Sequence, residues 1–417
     1  MTNKSKPSQK YVFEFWIIVV VLSWRFGLFE LSRLADSLLK YQPTFPYYHS
    51  ILPFSRLPRW IYSWANFDGV HYITIAQKGY VGTGLIQAFF PLYPKLIHFL
   101  AGVGGHDLLA GLVVSHISFA LLIWGWIKLC KTYFPSWSGR QLLISLCWLL
   151  LFPTSFFFGS VYTESLFLGL VVWFFVCVKK HYWWRAAILA GLASATRVVG
   201  IFLAVSLTVE YLIWLSSNNH IFEIIKAKFS QNLFQEFIHK VLKRKKELLK
   251  LLPLLLLAGS GLLLYQWYLL NEFHDPLYFL HVQAEFGAGR QEKLIMLPQV
   301  FWRYCKILYT ARPINLKYYS YVQDLGMSIL AGSALWYGFK RKALLSLMVF
   351  SALALFLPTL TGTFSSMPRY ILSAPGVLMS LVIWSQVSRR RLYLGLLIST
   401  ILLEVNTLLF IQGYWIA

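Results

Sequence analysis

The sequence predicts an all-α polytopic membrane protein, and three observations predict it. Of 417 residues, 58% are hydrophobic and only 13% charged, where a soluble domain carries about 25% charged residues. Apolar runs of about 18 or more residues recur along the whole chain, the length at which a helix crosses the hydrocarbon core. The excess of Lys+Arg over Asp+Glu, 38 against 16 for a formal charge of +22, falls largely in short segments between those runs. On a soluble chain such a balance would point to nucleic acid. Between apolar spans it marks cytoplasmic loops. A soluble enzyme, a nucleic-acid binder and a disordered scaffold are excluded on these grounds.

Lys4, Lys6 and Lys10 precede the first apolar run with no acid among them, which puts the N-terminus in the cytoplasm. A span over 12–31 leads outward. Glu14 and Arg25 interrupt it and no small-residue cleavage site follows, so it reads as a retained span. Residues 32–107 form an external loop. Its first part, 32–87, is rich in Pro, aromatic and polar residues, while 88–104 is apolar but broken by Pro91, Pro94, Lys95 and His98, the pattern of a helix lying on the surface. Spans follow at 108–127, 141–153 and 160–178, with Lys128, Lys131 and Arg140, then Lys179, Lys180 and Arg185, on the inside. Residues 186–215 read as two short helices meeting on the outer side near Thr196 and Arg197. The basic segment 216–250, ending in KVLKRKKELLK, reads as a cytoplasmic amphipathic helix against anionic lipid.

A span at 251–270 exits to an external loop at 271–293, and 294–321 re-enter or lie on the outer face. Spans at 322–339, 343–359, 371–387 and 392–411 are separated by Lys340-Arg341-Lys342 inside, 361–370 outside and Arg389-Arg390-Arg391 inside. The sum is about ten crossings in a single domain. No internal repeat or inverted pair of halves is visible, which weakens a transporter reading. Cys130, Cys147, Cys177 and Cys305 lie in or beside apolar runs without a CxxC pair and read as packing thiols.

This threading brings the polar, aromatic loops 32–87, 154–164, 271–293 and 361–370 to one side, so chemistry belongs there. In WANFDGVHYITIAQKGY, Asp68 is followed by Gly69, and His71 and Tyr72 lie three and four positions on, sharing its face in a helix. Asp68 is either a general base tuned by partial burial or a helix cap. In FPTSFFFGSVYTES, Tyr162 precedes Glu164, which is a functional carboxylate or a first-turn acid favoured by the helix dipole. Arg197, between two apolar helices, is a functional cation or an ion-pair partner of Glu164. His274, Asp275, His281 and Gln283 crowd one loop without strict metal spacing. Arg369, in SSMPRY at the mouth of a span, is a phosphate-binding fork or a snorkelling anchor.

These blocks resemble a known family. WANFDGVHYITIAQKGY with FFPLYP, FPTSFFFGSVYTESLFLGL, ATRVVGIFL, DPLYFLHVQ, SSMPRYILSAP and the final GYWIA, spread in order over most of the chain, are similar to the signature segments of the PIG-V family of mannosyltransferases. Phe67 stands where relatives usually have Trp before the Asp, and the length points to a prokaryotic-type member acting on a glycan or glycolipid. The resemblance implies a GT-C architecture and an extracytoplasmic active site, in the plasma membrane of a prokaryote or the endoplasmic reticulum of a eukaryote. It also implies inverting transfer of mannose from a polyprenyl- or dolichyl-phosphate donor. Asp68 falls on the family's first-loop Asp, the base; Arg369 and Arg197 would hold phosphate; His71, Tyr72, Tyr162, Glu164 and Gln283 would line the sugar and acceptor pockets. Such a donor carries an activated leaving group, so neither metal nor cofactor is expected. The rival readings are a flippase for lipid-linked glycans, which should carry midplane charges and paired halves, and a membrane acyl- or phosphotransferase, for which His71 would lack an acidic metal-binding pair.

Overall fold

The structure, a computed structural model, describes residues 7–43, 45–82, 84–216, 235, 238–241, 243–283, 285, 290–291, 293–313, 316–340 and 345–416. Most of the basic segment 216–250 lies outside the described residues, as do Lys4, Lys6, Arg341 and Lys342.

The chain opens with α1 (Pro7–Leu38). It runs about two turns beyond the expected end at residue 31, because SRLADSL contains no Pro or Gly to stop a helix. Short pieces follow: α2 (Tyr48–Ile51), α3 (Arg59–Tyr62), α4 (Asp68–Lys78) and α5 (Leu92–Gly104). Pro46, Pro53, Pro58 and Pro91 sit at the breaks, where a missing N–H and a fixed φ favour helix starts and forbid continuation. The 13 residues of α5 reach only about 20 Å, short of a hydrocarbon core of about 30 Å. It buries Tyr93 and Ile97 and exposes Phe99 and Val103, the two-faced pattern of a helix lying along a surface.

Next come α6 (Asp107–Tyr133), α7 (Gly139–Leu150), α8 (Glu164–Lys179), α9 (Trp183–Ser194), α10 (Phe202–Leu215), α11 (Lys245–Leu249) and α12 (Leu251–Phe273). The chain closes with α13 (Tyr278–His281), α14 (Leu297–Thr310), α15 (Leu316–Lys340), α16 (Leu345–Thr359), α17 (Met367–Leu372), α18 (Pro375–Ser385) and α19 (Arg389–Ile411). All regular structure among the described residues is helical.

Five helices among the described residues are long and apolar enough to cross a membrane, and Gly139–Leu150, Leu345–Thr359 and Pro375–Ser385 are shorter apolar helices. The protein is an integral membrane protein. Long helices alternate with short ones, as expected at 141–153 and 186–215, and polar loops cut into the bundle between them. The clearest case is the segment between α7 and α8, where residues 152–163 are wholly buried and hold no α-helix, only a 3-10 turn over Ser155–Gly159. Non-helical backbone is tolerated at such depth only when protein groups satisfy it. Here Thr154 Oγ1 donates to the Pro368 carbonyl at 2.8 Å, Ser165 Oγ to that of Phe158 at 2.8 Å, and Val161 N to that of Trp64 at 2.9 Å.

Small residues let the helices meet. A Cβ on Gly261 of α12 would overlap the carbonyl of Gly191 in α9 and the backbone N of Ala195, the close approach usual where membrane helices pack. At the other end of the chain, Asn66 Nδ2 donates to the carbonyls of Phe410 (2.8 Å) and Ile411 (3.1 Å). Those are last-turn carbonyls of α19, that of Phe410 also accepting from Gly413 N at 3.1 Å, so the first loop helps cap the final helix.

Candidate active site

Asp68 is the first residue of α4, and its place is set by a strained turn. Phe67 has φ 57° and ψ −116°, a conformation costly for a residue with a side chain. Surrounding contacts over-determine it. The Phe67 ring lies 4.7 Å from that of Phe45 and 5.2 Å from that of Trp415, and Asn66 is fixed to α19. Tyr162 Oη donates to the Asn66 carbonyl at 2.9 Å and accepts from Asp68 N at 3.2 Å. Gly69 follows because α4 runs tight against its neighbours: a Cβ there would lie 3.2 Å from Ala65 Cβ and 3.3 Å from the Val161 carbonyl oxygen.

Side chains far apart in the chain then meet. Arg369, in α17, donates through Nη1 to Asp68 Oδ2 and through Nε to Glu164 Oε1. Arg197, between α9 and α10, donates through Nη1 to the same Glu164 oxygen at 2.9 Å. The result is a line of alternating charge, Asp68–Arg369–Glu164–Arg197. Aromatic faces support the cations: Arg369 lies 4.7 Å from the Tyr162 ring centroid and 5.0 Å from that of Phe157, at which range a ring attracts a guanidinium.

Burial would push the Asp68 carboxyl up, but the Arg369 guanidinium, by charge and hydrogen bond, holds it below the ordinary carboxylate value. Burial likewise works against Arg369, and Glu164 and Asp68 together carry it well above its ordinary value. His71 moves the other way. Burial lowers it, only partly opposed by the Asp68 charge. The two shifts favour the charged form of the carboxylate and the neutral form of the imidazole beside it.

A cavity of about 630 Å³ opens against this line. Asp68, His71, Tyr72, Arg197, Gln283 and Arg369 all line it. The three residues of α4 share one face, at the spacing read from the sequence. His71 stacks on Phe89, with centroids 5.0 Å apart and planes at 23°. Tyr72 Oη lies 3.5 Å from Thr163 Oγ1. Tyr162 and Glu164 stand elsewhere. Both are buried behind the cavity wall, where they touch its lining at Asp68, Tyr72, Arg369 and Arg197. A carboxylate at the start of α8 faces inward because the buried segment 152–163 carries that helix end into the bundle.

Another part of the wall comes from the segment around α13. His281 lines it, with Nδ1 2.6 Å from Asp275 Oδ2, and Gln283 accepts from Arg290 Nη1 at 3.1 Å. Arg290 also lines the cavity, and reading from residue patterns alone missed it. The available signal was a cation in a loop assigned to the outer side, against the usual charge bias. The loop before α17 is held by α14 and α15: Tyr304 Oη contacts Thr363 Oγ1 at 3.1 Å and accepts from Phe364 N at 3.2 Å, and Arg303 donates to the Gly362 carbonyl at 3.0 Å. Among the described residues no group of three or more His, Cys, Asp or Glu side chains could hold a metal ion.

No family model matches the chain, and no curated protein matches it. Among solved structures, the chain is similar to the Archaeoglobus fulgidus oligosaccharyltransferase. Against its crystal structure in complex with Zn and sulfate the TM-score is 0.41 at 12% identity, over 83% of this chain and 48% of that one. Against the apo form the TM-score is 0.43 at 13% identity, over 95% of this chain and 56% of that one. The chain thus spans about half the length of the structures it matches.

Proposed function

We propose that the protein is a membrane glycosyltransferase. It moves a hexose, mannose foremost, from a polyprenyl- or dolichyl-phosphate donor to a glycan or glycolipid acceptor on the extracytoplasmic face, inverting the anomeric carbon. One observation carries the reading: Asp68, paired with Arg369, sits on a strained turn and faces a cavity of about 630 Å³ that is lined by aromatic rings and arginines. The resemblance of the blocks around Asp68, Glu164, Arg197, Gln283 and Arg369 to PIG-V mannosyltransferases, with the GT-C fold that family has, supports the same conclusion.

In this reaction the acceptor oxygen bonds to the anomeric carbon as the carbon–phosphate oxygen bond breaks. Asp68 takes the hydroxyl proton, and the lipid phosphate leaves with the electron pair. Positive charge builds on the sugar ring in the transition state, and fixed charges around it are worth more in a site that excludes water. His71 and Tyr72, one turn along α4 from the base, form the sugar wall, and Gln283 faces them. Arg369 keeps Asp68 ionised and aimed, Arg197 extends the line of charge along the cavity, and Glu164 and Tyr162 act as positioning residues for both. The lipid phosphate is already an activated leaving group, so the proposal includes no cofactor.

The test is transfer by purified protein supplied with radiolabelled polyprenyl-phosphate mannose and a membrane extract as acceptor source. Wild type should form a labelled product. Asp68→Asn should lose about 10²- to 10⁴-fold in rate, the range for a general base, while still binding donor. Turnover retained in Asp68→Asn would refute its role as base, and donor that binds but is never consumed with any extract would favour a flippase.

A further inference from the structure

Arg369 is the obvious cation for a donor phosphate, yet its charge is already spoken for. It sits between Asp68 and Glu164, and Arg197 shares Glu164. Two carboxylates offset two arginines. Drawing either arginine away would weaken the ion pairing of Glu164, whose side chain has no exposure at all, and a buried charge stripped of its partner is costly.

Arg290 differs. It lines the same cavity and donates to a neutral acceptor, the Gln283 amide oxygen. No carboxylate pairs with it among the described residues. Its charge is nevertheless felt at Asp68, where it helps hold the carboxyl down. Among the described residues the cavity and the wall behind it therefore carry one positive charge more than their carboxylates balance. A sugar phosphodiester brings one negative charge. Leu280, Leu294 and Leu357 line the same cavity, and Leu294 is 79% exposed, so an apolar edge opens to the surface four residues along the chain from Arg290.

Resting on the reading of this cavity as a lipid-phosphate sugar site, we propose that Arg290, steadied by Gln283, is the primary anchor of the donor phosphate. The lipid tail then leaves past Leu294, and the sugar points toward Asp68 and His71. The planar guanidinium suits paired hydrogen bonds to phosphate oxygens.

The experiment is binding to the full chain in nanodiscs, using farnesyl phosphate, farnesol and inorganic phosphate as probes, so that no turnover is needed. Wild type should prefer farnesyl phosphate to both others. Arg290→Gln should weaken farnesyl phosphate about ten- to a hundredfold, as expected for lost charged hydrogen bonds, without changing farnesol. Arg290→Lys should restore part of the loss, and in the transfer assay Arg290→Gln should raise KM for donor far more than it lowers kcat. Unchanged farnesyl phosphate affinity in Arg290→Gln overturns the proposal. So does inorganic phosphate binding as tightly as farnesyl phosphate, which would make this a free-phosphate site. Arg290-dependent binding by a protein that transfers no sugar would leave the anion site standing and sink the transferase reading.

Discussion

Arg369 and Asp68 constrain one another. The carboxylate is ionised because the guanidinium is beside it, and the guanidinium is tolerated in a buried position because two carboxylates and two aromatic faces surround it. Removing Arg369 therefore does more than remove a ligand contact: it leaves Asp68 and Glu164 close together with only Arg197 to offset them. Arg369→Gln is expected to destabilise the fold by about 3–5 kcal/mol, the range for breaking a buried pair from one side. Arg197→Gln should cost less, since Glu164 keeps Arg369. Thermal unfolding of the two variants in one detergent compares them directly; equal midpoints would mean that the line of charges is not a cooperative unit. Of these residues, Asp68, His71 and Tyr72 were legible together because helical spacing alone puts them on one face. The inward aim of Glu164 was not legible, since it depends on how far the buried segment before α8 sinks into the bundle.

Among the elements, the short ones carry the site and the long ones hold it. α4 and α17 present Asp68 and Arg369, while α19, α14 and α15 fasten the loops that precede them. The breaks between short elements could be read directly, because Pro91 and Pro94 stop α5 from extending into a span. The extra turns of α1 were missed for the converse reason: polar residues such as Arg33 and Asp36 read as loop, though nothing in them stops a helix. The crossing of α9 and α12 depends on absent side chains. Gly261→Ala would drive a methyl group into the Gly191 carbonyl and is expected to cost about 1–3 kcal/mol through backbone shifts. Gly326→Ala in α15, where a Cβ meets nothing within 4 Å, serves as its control. Equal unfolding midpoints for the two would argue against a tight crossing.

For the whole molecule, the proposal that the cavity faces the extracytoplasmic side rests on the charge bias along the chain. The protein carries its own reporter of that orientation. Cys305 is exposed on α14, next to the loop that lines the cavity, whereas Cys130 and Cys177 are buried and Cys147 is half-buried. A membrane-impermeant maleimide should label Cys305 on intact cells or spheroplasts, and Cys305→Ser should abolish the signal. Labelling of Cys305 only after lysis would turn the molecule over and move the proposed reaction to the cytoplasmic face.

By itself the sequence determined what is local or additive: a membrane protein, helices bounded by proline and charge, and a carboxylate, a histidine and a tyrosine on one face of a short helix. These follow from composition and from periodicities a few residues long. Tertiary structure alone decided which charges neutralise which. Asp68 and Arg369 lie 301 positions apart, and no pattern along a chain specifies a partner at that distance. It also decided that Glu164 and Tyr162 stand behind the wall and that Arg290 reaches the cavity. An ion pair is set by separations of a few ångströms and by the water excluded around it, and both exist only once the helices have packed.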